Sequence, residues 1–157
     1  MKYELESGAH STYLLTYHLV WCVKYRRKVL STQIGDRVKQ MVETLLREAE
    51  CTTIAIETDV DHIQVVFRAK PKHQLSKIIN SVKGVTARRL FQEFPTLKNR
   101  LWRGHLWSPS YFLVTVGGAP LEGHHELFDA TYTTAAGAGV DANVIRSIHC
   151  QPSRTGT

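Results

Sequence analysis

Apolar side chains alternate with polar ones along residues 12–25, where Tyr13, Leu15, Tyr17, Leu19, Trp21, Val23 and Tyr25 share one face at period two. Aromatic and β-branched residues in that pattern predict a strand. The basic turn Arg26-Arg27-Lys28 closes it. After Ser31 or Thr32 as N-cap, Ile34, Val38, Met41, Val42, Leu45, Leu46 and Ala49 recur at helical spacing, which predicts a helix to about Glu50. Residues 53–58 and 62–68 read as a hairpin joined by the polar turn Asp59-Val60-Asp61. Lys70-Pro71-Lys72 stops its second strand, since proline cannot donate to a ladder. Leu75, Ile78, Ile79, Val82, Ala87, Leu90 and Phe94 mark a second helix ending near Pro95. A last strand pair is expected at 101–107 and 111–116. The order β-α-β-β-α-β is that of a ferredoxin-like α+β sandwich, an antiparallel sheet with its helices on one face.

Beyond Gly118 the pattern weakens into Thr, Ala and Gly, and residues 135–157 read as a flexible tail behind a domain spanning 1–134. The chain's 157 residues suffice for one core, and 43% hydrophobic with 22% charged residues excludes a disordered or collagen-like class. No apolar run is long enough to cross a membrane, and the N-terminus lacks a signal-peptide pattern, so a cytoplasmic protein is expected. Cys22, Cys51 and Cys150 form no Cys-x-x-Cys pair and read as inert thiols.

Charge changes the picture more. The net +6 is uneven: residues 1–118 carry 18 basic and 10 acidic side chains, residues 119–157 only 2 and 4. The front of the chain suits a polyanion, although a solvated basic surface without a partner remains open on charge alone. The cations offered to phosphate are Lys24, Arg26, Arg27 and Lys28 after the first strand, and Lys83, Arg88 and Arg89 on the second helix. In His62-Ile63-Gln64 both polar side chains fall on one face of a strand, and ligands at i and i+2 can meet one metal ion. Asp59 and Asp61 are near enough to add charge. The same triplet on a solvent-facing strand needs no metal. His18 lies opposite the Tyr/Leu stripe and reads as an ordinary strand histidine.

Several segments, in order, resemble the HUH single-tyrosine transposases of the insertion-sequence 200/605 group. They are Tyr17-His18-Leu19-Val20-Trp21-Cys22-Val23-Lys24-Tyr25-Arg26-Arg27-Lys28, Thr58-Asp59-Val60-Asp61-His62-Ile63-Gln64, the run 74–85, Leu106-Trp107-Ser108-Pro109-Ser110-Tyr111 and Val116-Gly117-Gly118-Ala119-Pro120-Leu121-Glu122. The resemblance implies a homodimer that binds hairpins in single-stranded DNA, with no membrane and no small-molecule cofactor, associated with the nucleoid when DNA-bound. It implies Mg²⁺ or Mn²⁺ on the HUH residues, and a tyrosine that attacks a backbone phosphate to leave a 5′-phosphotyrosine and a free 3′-hydroxyl. That link conserves the ester for rejoining.

Position by position, His62 matches the first HUH histidine and Gln64 stands where the second usually is. Leu127 and Thr131 occupy the usual places of the tyrosine and of a metal-binding glutamine. Tyr132 is then the candidate nucleophile, five residues on and about 140° round a helix. The rival expectation is a non-catalytic hairpin-binding protein derived from a transposase. An RNA-binding ferredoxin-like module draws on charge and fold alone.

Overall fold

The computed structural model describes residues 5–116. Two short strands, β1 (Glu6–Ser7) and β2 (Thr12–Tyr13), pair with each other ahead of the main sheet. Then come β3 (Thr16–Cys22), α1 (Thr32–Glu48), β4 (Thr52–Thr58), β5 (His62–Arg68), α2 (Leu75–Glu93), α3 (Leu97–Arg100) and β6 (Phe112–Thr115). The four-stranded sheet runs β4-β5-β3-β6, with every neighbouring pair antiparallel. From β3 onward this is the ferredoxin-like order, as the periodicity predicts.

Side-chain parity divides the sheet. Leu19, Trp21 and Val23 with Ile63, Val65 and Phe67 enter one core together with Ile34, Val38, Met41, Val42 and Leu46 of α1 and Ile79, Val82 and Leu90 of α2. Trp21 meets Trp107 edge-on, with ring centroids 5.7 Å apart, and Tyr17 meets Phe67 at 5.8 Å. The helices therefore cover this face. Val20, Cys22 and Val66 are also fully buried but lie outside that cluster, on the second face. Both faces of β3 and β5 are buried.

α1 starts where expected, with the Ser31 hydroxyl accepting from the Ile34 N–H. Its Gly35 runs against the end of β4: a Cβ there would lie 2.7 Å from the Thr58 hydroxyl oxygen. A side chain there would require the Thr58 side chain to shift.

Two expectations need correction. The first strand spans 16–22, not 12–25: Tyr13 belongs to β2, and residues 24–26 coil into a 3₁₀ turn. That turn puts Tyr25 and Arg26 at φ of 57° and 50°, in a left-handed region that no strand contains. Residues 101–107 form no strand either. They hold a 3₁₀ turn at Trp102–Gly104, and Trp107 makes an isolated bridge to Val23, so the sheet gains only β6 from the expected pair. Alternation of apolar residues there reflects packing into the core, with Leu101 and Leu106 buried. Cys22 and Cys51 are buried and form no disulfide among the described residues, and Cys150 lies outside them.

Candidate metal centre and nucleic-acid interface

β3 and β5 pair with His18 opposite Val66, Val20 opposite Gln64 and Cys22 opposite His62. All six share the face opposite the described helices. His18 and Gln64 are thus diagonal neighbours across the two strands, a separation that long side chains span. His18 Nε2 lies 3.2 Å from Gln64 Oε1, and Gln64 Nε2 lies 3.4 Å from His62 Nε2. The other nitrogen of His62, Nδ1, is 2.7 Å from Asp61 Oδ1. Four side chains form one connected string.

The basic turn anchors its far end. Arg26 Nε donates to Asp61 Oδ2 at 3.1 Å, and its Nη2 lies equally close. The two loops are also laced by backbone bonds, from Val23 N–H to the Asp61 carbonyl at 2.8 Å and from Leu30 N–H to the Val60 carbonyl at 3.0 Å. Left-handed backbone at a non-glycine residue costs about 1–2 kcal/mol, and these contacts hold it in place. Asp59 takes a different part: its carboxylate accepts the Val60 N–H and shapes the turn.

The hydrogen bond from His62, opposed by burial and helped by the Arg26 charge, holds the Asp61 carboxyl below its usual range. Asp61 accepts from His62 Nδ1 and so orients the ring, whose other nitrogen, Nε2, faces Gln64 on the second face of the sheet. Burial lowers the pKa of His18, against a smaller raising effect of its bond to Gln64. His18 therefore presents a neutral ring, with one donating and one accepting nitrogen.

The donor set can be tested against a divalent ion. An imidazole nitrogen oriented by a carboxylate, with a side-chain amide two residues on whose oxygen can be turned toward it, suits Mg²⁺ or Mn²⁺ bound with several waters or a phosphate. Among the described residues, no group of three His, Cys, Asp or Glu side chains gathers to hold an ion by itself. The residues fit an open, two-point site.

The predicted cations separate on inspection. Arg27 and Lys28 are exposed in the loop after β3, and Arg88 and Arg89 are exposed on α2. Lys24 is half-buried with its ammonium 5.6 Å from the centre of the Tyr25 ring. Arg26 turns inward onto Asp61. Lys83 is a correction: it is 7% exposed, donates to the Ser108 and Ser110 carbonyls at 2.7 and 3.0 Å, and lies 5.7 Å from the Tyr111 ring centre. It ties α2 to the segment leading into β6 and is not on the surface offered to phosphate. Tyr132, Leu127 and Thr131, like the expected tail, lie outside the described residues. His18 was not singled out by the sequence, because its partner Gln64 is 46 residues away and only strand register joins them.

The sequence profile of the family described as "Transposase IS200 like" matches residues 11–126. The chain belongs to this family. The ISDra2 transposase TnpA of Deinococcus radiodurans is 37% identical over 113 residues, covering 72% of this chain and 81% of that one. The transposase for insertion sequence element IS200 of Salmonella typhimurium is 27% identical over 112 residues, covering 71% and 74%. The crystal structure of a candidate transposase from Deinococcus radiodurans superposes with a TM-score of 0.68 at 30% identity, over 85% of this chain and 98% of that one. A REP-associated tyrosine transposase bound to a REP hairpin gives 0.52 at 14% identity, over 83% and 75%, a likeness of fold. No helix among the described residues of this IS200-like transposase is long and apolar enough to cross a membrane.

Proposed function

We propose that the chain binds hairpins in single-stranded DNA and cleaves and rejoins the strand through a 5′-phosphotyrosine, with Mg²⁺ or Mn²⁺ at His62 and Gln64. The observation that carries this reading is the carboxylate-oriented His62 beside Gln64 in an IS200-like transposase fold. A bound divalent ion would polarise the scissile phosphate and offset the charge that develops on it. Asp61 orients the His62 ring, whose Nε2 would be the nitrogen offered to the ion, and Arg26 steadies Asp61. Arg27 and Lys28, with Lys24 in the same loop, and Arg88 and Arg89 on α2 hold the DNA backbone by phosphate contacts. Tyr132 is the nucleophile: its phenolic oxygen gives up its proton and forms the bond to phosphorus as the bond to the 3′ oxygen breaks, and that oxygen takes up a proton and leaves as a hydroxyl. Assembly as a homodimer belongs to the same reading, with β4 and β6 ending the sheet as the edges on offer. The protein works in the cytoplasm, on the nucleoid when DNA-bound.

Leu127 at the usual place of the tyrosine favours a second reading, a hairpin-binding protein without strand chemistry. One experiment separates the two. Labelled single-stranded DNA carrying the element's end hairpin is incubated with Mn²⁺ or Mg²⁺ and run on a denaturing gel that retains protein–DNA adducts. An adduct that disappears in both Tyr132→Phe and His62→Ala establishes the enzyme. Retardation on a native gel, with no adduct at any metal concentration, establishes the binding protein.

A further inference from the structure

The string of side chains on the second face has a direction. The Asp61 oxygen 2.7 Å from His62 Nδ1 is an acceptor, so that nitrogen carries a proton. In the neutral ring a metal ion requires, His62 Nε2 is then an acceptor, and what faces it at 3.4 Å is the NH₂ of Gln64. The amide's oxygen consequently faces away, toward His18 Nε2 at 3.2 Å, which must donate. Every proton in the string points one way, from His18 through Gln64 and His62 to Asp61. In this arrangement the lone pair of His62 is capped by N–H, and the one atom of Gln64 able to ligate a cation is held elsewhere.

We propose that His18 is a positioning residue that sets the orientation of the Gln64 amide and thereby governs how tightly the site takes a divalent ion. The inference rests on the metal reading of His62 and Gln64 given above. For both residues to ligate one ion, the amide turns over, bringing Oε1 beside His62 Nε2 and the NH₂ toward His18. The Nε2 of His18 then accepts where before it donated, and its proton moves to Nδ1. A histidine can make that exchange, because its two neutral tautomers interchange donor and acceptor. His18 is fully buried, so no water readily replaces it in either role. A glutamine at this place ligates or caps according to its partner, whereas a carboxylate has two like oxygens and needs no turn.

Mn²⁺ binding, read by the loss of the free-ion electron paramagnetic resonance signal, tests this without DNA or activity. In the natural chain His18→Phe removes the donor that holds the oxygen away, and Mn²⁺ affinity is expected to rise roughly 2- to 12-fold, the worth of one neutral hydrogen bond. In a Gln64→Glu background the same His18→Phe change should give no gain. A change of equal size in both backgrounds, no change, or a loss of affinity in the natural chain overturns the inference. Loss is the result if His18 itself ligates. Nitrogen-15 shifts of the His18 ring supply a second measurement on the natural chain, independent of whether the variant folds. The proton is expected on Nε2 without metal and on Nδ1 with saturating Mg²⁺; a ring that ignores Mg²⁺ overturns the inference. Mn²⁺ binding that is indifferent to His18 sinks this inference alone. Absence of Mn²⁺ binding in both backgrounds sinks the metal reading, and the inference with it.

Discussion

The two faces of β3 and β5 are made by the same fourteen residues and do opposite things. On the helix side, Leu19, Trp21, Ile63, Val65 and Phe67 are apolar and buried in one cluster. On the other side, His18, His62 and Gln64 are buried too, at 0%, 8% and 9% exposure, but they are polar and joined by hydrogen bonds. Burial of apolar groups stabilises, whereas burial of polar groups is tolerated only when they are partnered. One face is thus built for stability and the other holds hydrogen-bonded polar groups in place. A one-residue shift of register would exchange them.

Substitutions can break that division, and the largest effect belongs to the apolar face. Phe67→Ala deletes a fully buried ring stacked near Tyr17 and should cost about 3–5 kcal/mol in urea denaturation. Lys83→Met tests whether a buried cation can serve structure alone. It leaves the Ser108 and Ser110 carbonyls without their donor, for an expected loss of about 1–3 kcal/mol, while the salt dependence of DNA binding stays unchanged.

On the polar face the readout shifts from stability to binding. Asp61→Asn frees the His62 ring, and Mn²⁺ affinity should fall about 10- to 100-fold. If affinity is unaffected, Asp61 does not orient a ligand. Outside both faces, Arg27→Ala and Arg88→Ala should each lower the slope of log binding constant against log salt by about 0.7 for a single-stranded probe. An unchanged slope would remove that residue from the phosphate contacts.

The smallest effect lies at the surface between the helices. Arg37 donates through Nε and Nη2 to the Glu93 carboxylate at 2.7 and 2.8 Å, and this exposed pair is worth at most about 1 kcal/mol. The bond to Arg37 holds the Glu93 pKa below its usual value. The contribution is therefore present above the ordinary carboxylate range near pH 4.3 and lost as pH falls through the depressed value. Thermal melts of Arg37→Ala should show that part of the acid sensitivity gone, with the remainder intact.

Local pattern made most of the elements legible. Period two gave the β4–β5 hairpin, helical spacing gave α1 and α2 within one or two residues, and Ser31 marked the helix start. Those signals are local because each depends on how one element presents a face. The 101–107 segment misled, since apolar residues that fill a core gap from a coil look like those of a strand. The long first strand misled likewise: Tyr25 continues the alternation, but the chain has already turned at Lys24 to bring Arg26 onto Asp61.

The sequence by itself determined the α+β sandwich, the family segments, and the pairing of His62 with Gln64 on one strand face. A period of two and a span of three residues suffice for that. Only the tertiary structure decided that His18 completes the string, that Lys83 is spent inside, and that Arg26 steadies a carboxylate. Each of these depends on the approach of residues 25–46 positions apart, which strand register and helix docking set and no local spacing encodes.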